Sequence, residues 1–170
     1  RGLIYGPDDR MGWAQHSALT PTPILVGDVI RVYAGFRDSE GISRIGYIDV
    51  DADNPSQVIA VSDSPALDIG EPGAFDDNGV ILGDVIRINS TWYMYYVGFQ
   101  LVTKAKFLAF TGLATSNDGK EFSRFQKTPV LDRSDEGIYI RAIHTALFEG
   151  NIWKIWYAAG NGGSETVGRL

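Results

Sequence analysis

The stretch Phe75-Asp-Asp-Asn-Gly-Val-Ile-Leu-Gly-Asp-Val-Ile-Arg-Ile-Asn-Ser-Thr-Trp-Tyr-Met-Tyr-Tyr-Val-Gly-Phe99 decides the fold. Paired acids, Asp76 and Asp77, open it. An apolar run from Val80 to Ile88 follows, then a polar turn at Asn89-Ser90-Thr91, then a second apolar run from Trp92 to Val97. Two short runs rich in β-branched and aromatic residues, joined by a tight polar turn, read as a β-hairpin. Their period is nearer 2 than 3.6, which excludes helices.

The same pattern occurs once before this stretch and once after it. Before it stand Ile24-Leu-Val, the turn Gly27-Asp28, Val29 to Phe36, the alternating run Ser43 to Val50, and a short fourth run, Val58 to Val61. Within the second unit, Leu108 to Thr115 supplies a third strand, Asn117-Asp-Gly119 a turn, and Phe122 to Phe125 the opening of a fourth strand. Tyr33-Ala-Gly-Phe36 recurs as Tyr96-Val-Gly-Phe99, and Pro65-Ala-Leu-Asp68 as Pro129-Val-Leu-Asp132. A third unit starts at Ile140 to Phe148, turns at Glu149-Gly-Asn151 and runs through Ile152 to Ala159, before a stretch from Gly160 to Glu165 with the composition of a frayed tail. Four short strands per unit, in phase, are the pattern of β-propeller blades. A β-sandwich of similar hairpins is the alternative. The expected units are a first blade over about 13–68, a second over about 71–132 and a partial third over about 138–160, all in one domain.

Composition narrows the function. A net charge of -6 and 44% hydrophobic residues fit a folded chain without the basic patches that nucleic acid or anionic membranes require. No cysteine means no disulfide framework and no thiolate metal site or nucleophile. No run approaches the ~18 apolar residues of a membrane span. No secretory leader is visible, which favours the cytoplasm, although opening at Arg1 is compatible with trimming. No glycine-rich phosphate loop leads a helix, so no cofactor is expected.

Several stretches resemble a family of glycosidase-related proteins. They are Ser43-Arg-Ile-Gly-Tyr-Ile-Asp-Val-Asp-Ala-Asp-Asn-Pro55, Gly73-Ala-Phe-Asp-Asp-Asn-Gly79, Trp92-Tyr-Met-Tyr-Tyr96, Ser116-Asn-Asp-Gly119, and Ile140-Arg141 with Trp153-Lys-Ile-Trp-Tyr157. The family is the five-bladed propeller group of furanosidases, levansucrases and mannoside phosphorylases. The resemblance covers about Trp13 to Gly160 and implies an all-β fold of about two and a half blades, the N-terminal half of such a protein. It further implies that the first strand of each blade lines a central funnel. Hydrolysis in the group uses an Asp from the first blade, an Asp from the second and a Glu from the third. One carboxyl group protonates the leaving oxygen while another attacks or activates water.

Carried onto this chain, the second-blade position falls on Asp76 or Asp77, the candidate catalytic residues. The first-blade position falls in Trp13 to His16, where there is no acid; Asp8 and Asp9 lie upstream. The third-blade position falls in Tyr139 to His144, again without an acid, with Glu136 before it and Glu149 beyond. Trp13, Gln15, His16, Arg141 and His144 are the candidate substrate-binding residues: an aromatic plane, hydrogen-bonding groups and a guanidinium suit a carbohydrate or sugar phosphate. Each also has a plainer role. Asp76-Asp77 fits a turn, the histidines fit packing, and Arg141 fits an ion pair with Asp76 that would join two blades. Trp92, Trp153 and Trp156 fit the core. His16 and His144 have no ligand spacing, so no metal is expected. The expected function is carbohydrate binding, with hydrolysis or phosphorolysis if another chain completes the site. The alternatives are an inactive binding or assembly module that oligomerises through open blade edges, and a truncated enzyme.

Overall fold

The computed structural model describes residues 2–7 and 11–161, so Asp8, Asp9 and the tail from 162 to 165 lie outside the described residues. Among the described residues it contains ten strands and no helix. The first sheet is an antiparallel meander in the order β1 (His16–Val26), β2 (Val29–Arg37), β3 (Ser43–Asp51), β4 (Val58–Val61). In the second, β5 (Val80–Ile88), β6 (Thr91–Gln100), β7 (Leu108–Ser116) and β8 (Ser123–Arg124) repeat that order. The hairpin of β9 (Ile140–Glu149) and β10 (Ile152–Gly160) follows.

Sequence alternation sets which side chains meet. Along β2, Arg31 and Tyr33 face the second sheet, while Ile30, Ala34 and Phe36 face away. Along β6, Trp92, Met94 and Tyr96 face the first sheet, and Tyr95 and Val97 face the third hairpin. A strand buried on both faces needs both sets apolar, which explains the uninterrupted run Trp92 to Val97. The turns are sharp because Gly27, Asn89, Gly150 and Asn151 take positive φ, the backbone form that Gly and Asn tolerate best.

The two sheets are latched by the Ser116-Asn-Asp-Gly119 turn. Ser116 Oγ accepts the Gly119 N–H at 2.9 Å, and Asp118 Oδ1 accepts the Lys120 N–H at 2.7 Å. The Gly119 carbonyl, pushed outward, accepts bonds from Arg31 Nη1 at 3.0 Å and from the Tyr33 hydroxyl, both on the first sheet. Arg31 is itself held bidentately by Asp49, at 2.8 and 2.7 Å, and lies over the Tyr47 ring. A buried charge paired and hydrogen-bonded through all three of its nitrogens is tolerated where an unpaired one is not.

Strand β5 lies beside β1 on one side and β9 on the other. The first strand of each unit thus neighbours the first strand of the next, as blades around an axis require and as two stacked sheets would not. This is an all-β propeller architecture of two four-stranded blades and the leading hairpin of a third. The hairpin is stitched to the second blade by a two-residue parallel bridge, Ala109 to Ile140 and Phe110 to Arg141. Asp84, at a β-bulge in β5, adds to this by accepting from Thr145 Oγ1 at 2.7 Å and the Ala146 N–H at 2.9 Å. Gly83 in that bulge is required by space, because a Cβ there would collide with Ile143 Cγ2.

Three details differ from the sequence reading. Strand β1 starts at His16, through Pro21 and Pro23, rather than at Ile24. Prolines are accepted because β1 is an edge strand broken by two register shifts. The fourth strand of the second blade is reduced to Ser123–Arg124. Trp92 is buried, and Trp153 packs on Tyr93, Tyr95 and Phe148, but Trp156 is 52% exposed on the outward side of β10 and is not a core residue.

Candidate functional site

Two adjoining cavities run along the inner strands. The larger, about 410 Å³, opens where β1 and β5 begin and is lined by Leu19, Thr20, Arg37, Ser43, Asn78 and Phe99, among others. The smaller, about 280 Å³, lies between β1, β5 and β9 and is lined by Thr20 to Thr22, Ile81 to Gly83, Ala142 and His144. Thr20 and Ile81 belong to both. Strand β1 is strained here, with positive φ at Ser17 (67°) and Thr20 (47°), values costly for any residue with a Cβ. Neither lining contains an Asp or Glu.

Of the candidate residues, His144 lines this cleft. His16 stands at the head of β1, opposite Arg37 in register, exposed and with Nδ1 3.1 Å from Ser17 Oγ. Gln15 is adjacent, its N–H bonded to the Arg37 carbonyl at 2.8 Å. Trp13 points elsewhere. Its ring packs edge-on to Phe36 and over Gly46, and Nε1 donates to the Asp63 carbonyl, on the face of the first blade turned from the second.

Asp76 is fully buried. Its Oδ2 accepts from Arg124 Nε at 2.8 Å and from the Tyr96 hydroxyl at 3.0 Å, with Arg124 Nη2 in ion-pair contact at 2.8 Å. Arg124 Nη2 also donates to the Asp68 carbonyl at 2.6 Å. Asp76 fits only because Gly70 and Gly98 lack side chains; a Cβ at Gly70 would overlap its carboxylate, and one at Gly98 would overlap its Cβ. Burial, then the neighbouring Asp76 charge, push the Tyr96 phenol above its ordinary pKa, so it stays a donor. The guanidinium that pairs with Asp76 is therefore Arg124, and Arg141 is not its partner. Arg141 instead donates to Glu136 Oε2 at 3.2 Å, to the Tyr157 hydroxyl at 3.2 Å and to the Asp132 carbonyl at 2.8 Å. Tyr157 donates to the same Glu136 oxygen at 2.6 Å, and Glu136 is 64% exposed. Asp77 is half-buried, its Oδ2 accepting the Gly73 N–H at 2.8 Å. Among the described residues no cluster of three or more His, Asp or Glu is placed to hold a metal.

Sequence reasoning missed Arg37, Asn78, Arg124 and the Glu136–Tyr157 pair. Asn78 directly follows the quoted acids, but Gly79, at φ 136°, breaks the alternation that would have indicated its direction. Arg124 gave no signal, being 48 residues from Asp76.

Comparison with known proteins agrees with this architecture. No family model matches the chain. Two uncharacterised Mycobacterium tuberculosis proteins, MT1551 and Rv1502, are each 28% identical over 165 residues, covering 96% of this chain and 55% of their own length. Among solved structures, BT0996, determined as an RGII complex, superposes with a TM-score of 0.68 at 18% identity, over 94% of this chain and 47% of that one. The family 117 glycoside hydrolase Zg3597 of Zobellia galactanivorans superposes with a TM-score of 0.61 at 17% identity, over 93% and 48%. The chain thus spans about half the length of these proteins, and over that half its fold is that of the five-bladed propeller glycosidases.

Proposed function

We propose that the chain binds carbohydrate in the cleft along β1, β5 and β9. The lining carries this reading: Phe99 and Phe107 offer flat apolar surface, and Thr20, Asn78, Arg37 and His144 offer hydrogen-bonding groups. Sugars are bound by that combination of ring faces and directional polar groups. His16 and Gln15 extend the site at the head of β1. Asp76 holds the segment that delivers Asp77 and Asn78, and Arg141 with Tyr157 orients Glu136.

Glycoside cleavage needs two carboxyl groups flanking one bond. Asp77, at the head of β5 but outside the cleft lining, is the acid this chain would bring once its bond to the Gly73 N–H opens; its counterpart comes from further blades or from a second chain. The experiment is calorimetric titration with furanosides and mannosides, alongside turnover assays with and without phosphate. Saturable binding weakened by Asn78→Ala and His144→Ala supports the reading, and no binding to any saccharide refutes it. Turnover lost in Asp77→Asn would make the site catalytic.

An assembly role is favoured by one further observation. Strand β10 ends the second sheet, and Trp156, Ile152 and Leu147 are exposed on its hairpin. An uncovered apolar edge of this kind invites pairing. Two chains that complete one ring would give twice the monomer mass in light scattering; a folded sample at the monomer mass excludes this.

A further inference from the structure

The mouth of the cleft holds an exposed cation, Arg37. Arg37 lines the larger cavity, yet among the described residues no carboxylate pairs with its guanidinium. Nearby acids are turned away. Asp38, the next residue, accepts from Arg44 Nη1 at 2.7 Å and from the N–H groups of Glu40 and Ile42. Asp68 accepts from Arg44 Nε at 2.7 Å. Asp77 is bonded to Gly73. In a chain with net charge -6, a cavity whose described lining has a guanidinium and no carboxylate presents positive charge. The other side chains at this end include the Asn78 amide and the Thr20 hydroxyl, neither of which donates to another group among the described residues. Lys104 and Lys106 are exposed on the segment joining β6 and β7, between Leu101 and Phe107, which both line the cavity.

We infer that this corner takes an oxyanion carried on a sugar, either a phosphate ester or a uronate carboxylate, with Arg37 as the anion ligand and Asn78 and Thr20 as supporting donors. The inference rests on the cleft being a carbohydrate site and adds the charge class of the ligand. Arg37 is suited to the task because a guanidinium presents two parallel N–H groups to two oxygens of one anion. The strained φ at Thr20 keeps that residue at the junction of the two cavities, so a sugar ring reaching toward His144 would carry its anionic group to Arg37.

The test is a titration series with a hexose phosphate, a hexuronate, the matching neutral hexose and inorganic phosphate. It is read by calorimetry and by the NMR signal of the Arg37 side-chain N–H, for the parent protein, Arg37→Ala and Arg37→Lys. At low ionic strength the charged sugars bind about tenfold tighter than the neutral one, and Arg37→Ala removes that preference, the usual scale for a charge-assisted bond. Arg37→Lys retains part of it, and the melting temperature of both variants stays at the parent value. Phosphate and uronate arms distinguish the two sources of the anion. Equal affinity for charged and neutral sugars, or a preference that survives Arg37→Ala, overturns the oxyanion corner while leaving the carbohydrate cleft standing. Phosphate that shifts the Arg37 signal while no sugar binds upholds the corner and refutes the cleft as a carbohydrate site; silence in every arm refutes both.

Discussion

Replacing Asp76 with Ala separates a structural carboxylate from a catalytic one. The substitution removes the acceptor of one guanidinium bond and one phenol bond, both converging on a single buried oxygen that also pairs with the guanidinium charge. Tyr96 is fully buried, so its hydroxyl is left without a partner, at a cost of about 1–3 kcal/mol. Arg124 loses a charge-assisted partner, but a quarter of its side chain is exposed, so water recovers part of that loss and about 1–2 kcal/mol remains. Together these give roughly 3 kcal/mol, which for a chain of this size lowers the melting temperature by roughly 6–12 °C. Calorimetry or urea titration measures it, and a double-mutant cycle with Tyr96→Phe should show coupling, since both changes disrupt one contact. A melting temperature within about a degree of the parent would refute the clamp. So would an Asp76→Asn protein of parental stability that loses turnover, because a carboxylate free to do chemistry is not one that holds the fold together.

Gly119→Ala attacks the latch between blades: φ is +70° and a Cβ would lie 2.8 Å from the Trp92 ring. A loss of about 2–4 kcal/mol in urea titration is expected from strain and overpacking. The same turn makes a pH prediction. Backbone N–H groups, foremost that of Lys120, hold the Asp118 carboxyl below its ordinary pKa, outweighing its slight burial. A depressed folded-state pKa means that the contribution is fully present above the unfolded value of ~3.9 and is lost as pH falls through the folded one. The urea midpoint should therefore drop in acid, and Asp118→Asn should flatten that slope. Trp156→Glu places a charge on the exposed face of β10 without opening the core; light scattering should show less self-association and an unchanged melting temperature.

Much of the architecture was legible because strand alternation and turn chemistry are local. The runs at Val80 to Ile88 and Leu108 to Ser116 each carry enough β-branched and apolar residues to fix their direction, and Gly27 and Asn89 fix the turns of the first hairpins of the two blades. The site was less legible because its contacts are not local. His144 lines the cleft as a residue of an inner strand should, whereas Trp13, equally prominent in sequence, turns outward because Gly46 leaves a space that its ring fills. Arg141 and Asp76 each found a different partner from the one expected, since pairing across blades depends on loop paths that no period encodes. The brevity of β8 has a related cause: beyond Arg124, which turns inward to Asp76, only Phe125 to Thr128 remain before Pro129.

The stitching of β9 onto β7, with Asp84 gripping β9 from the other side, gives the last hairpin a fixed pose although it has no sheet of its own. Three successive inner strands then define an angular step and a curvature. Any segment that joins at β10 inherits that step, so closure of the circle is templated by this half rather than negotiated afresh between loosely tethered parts.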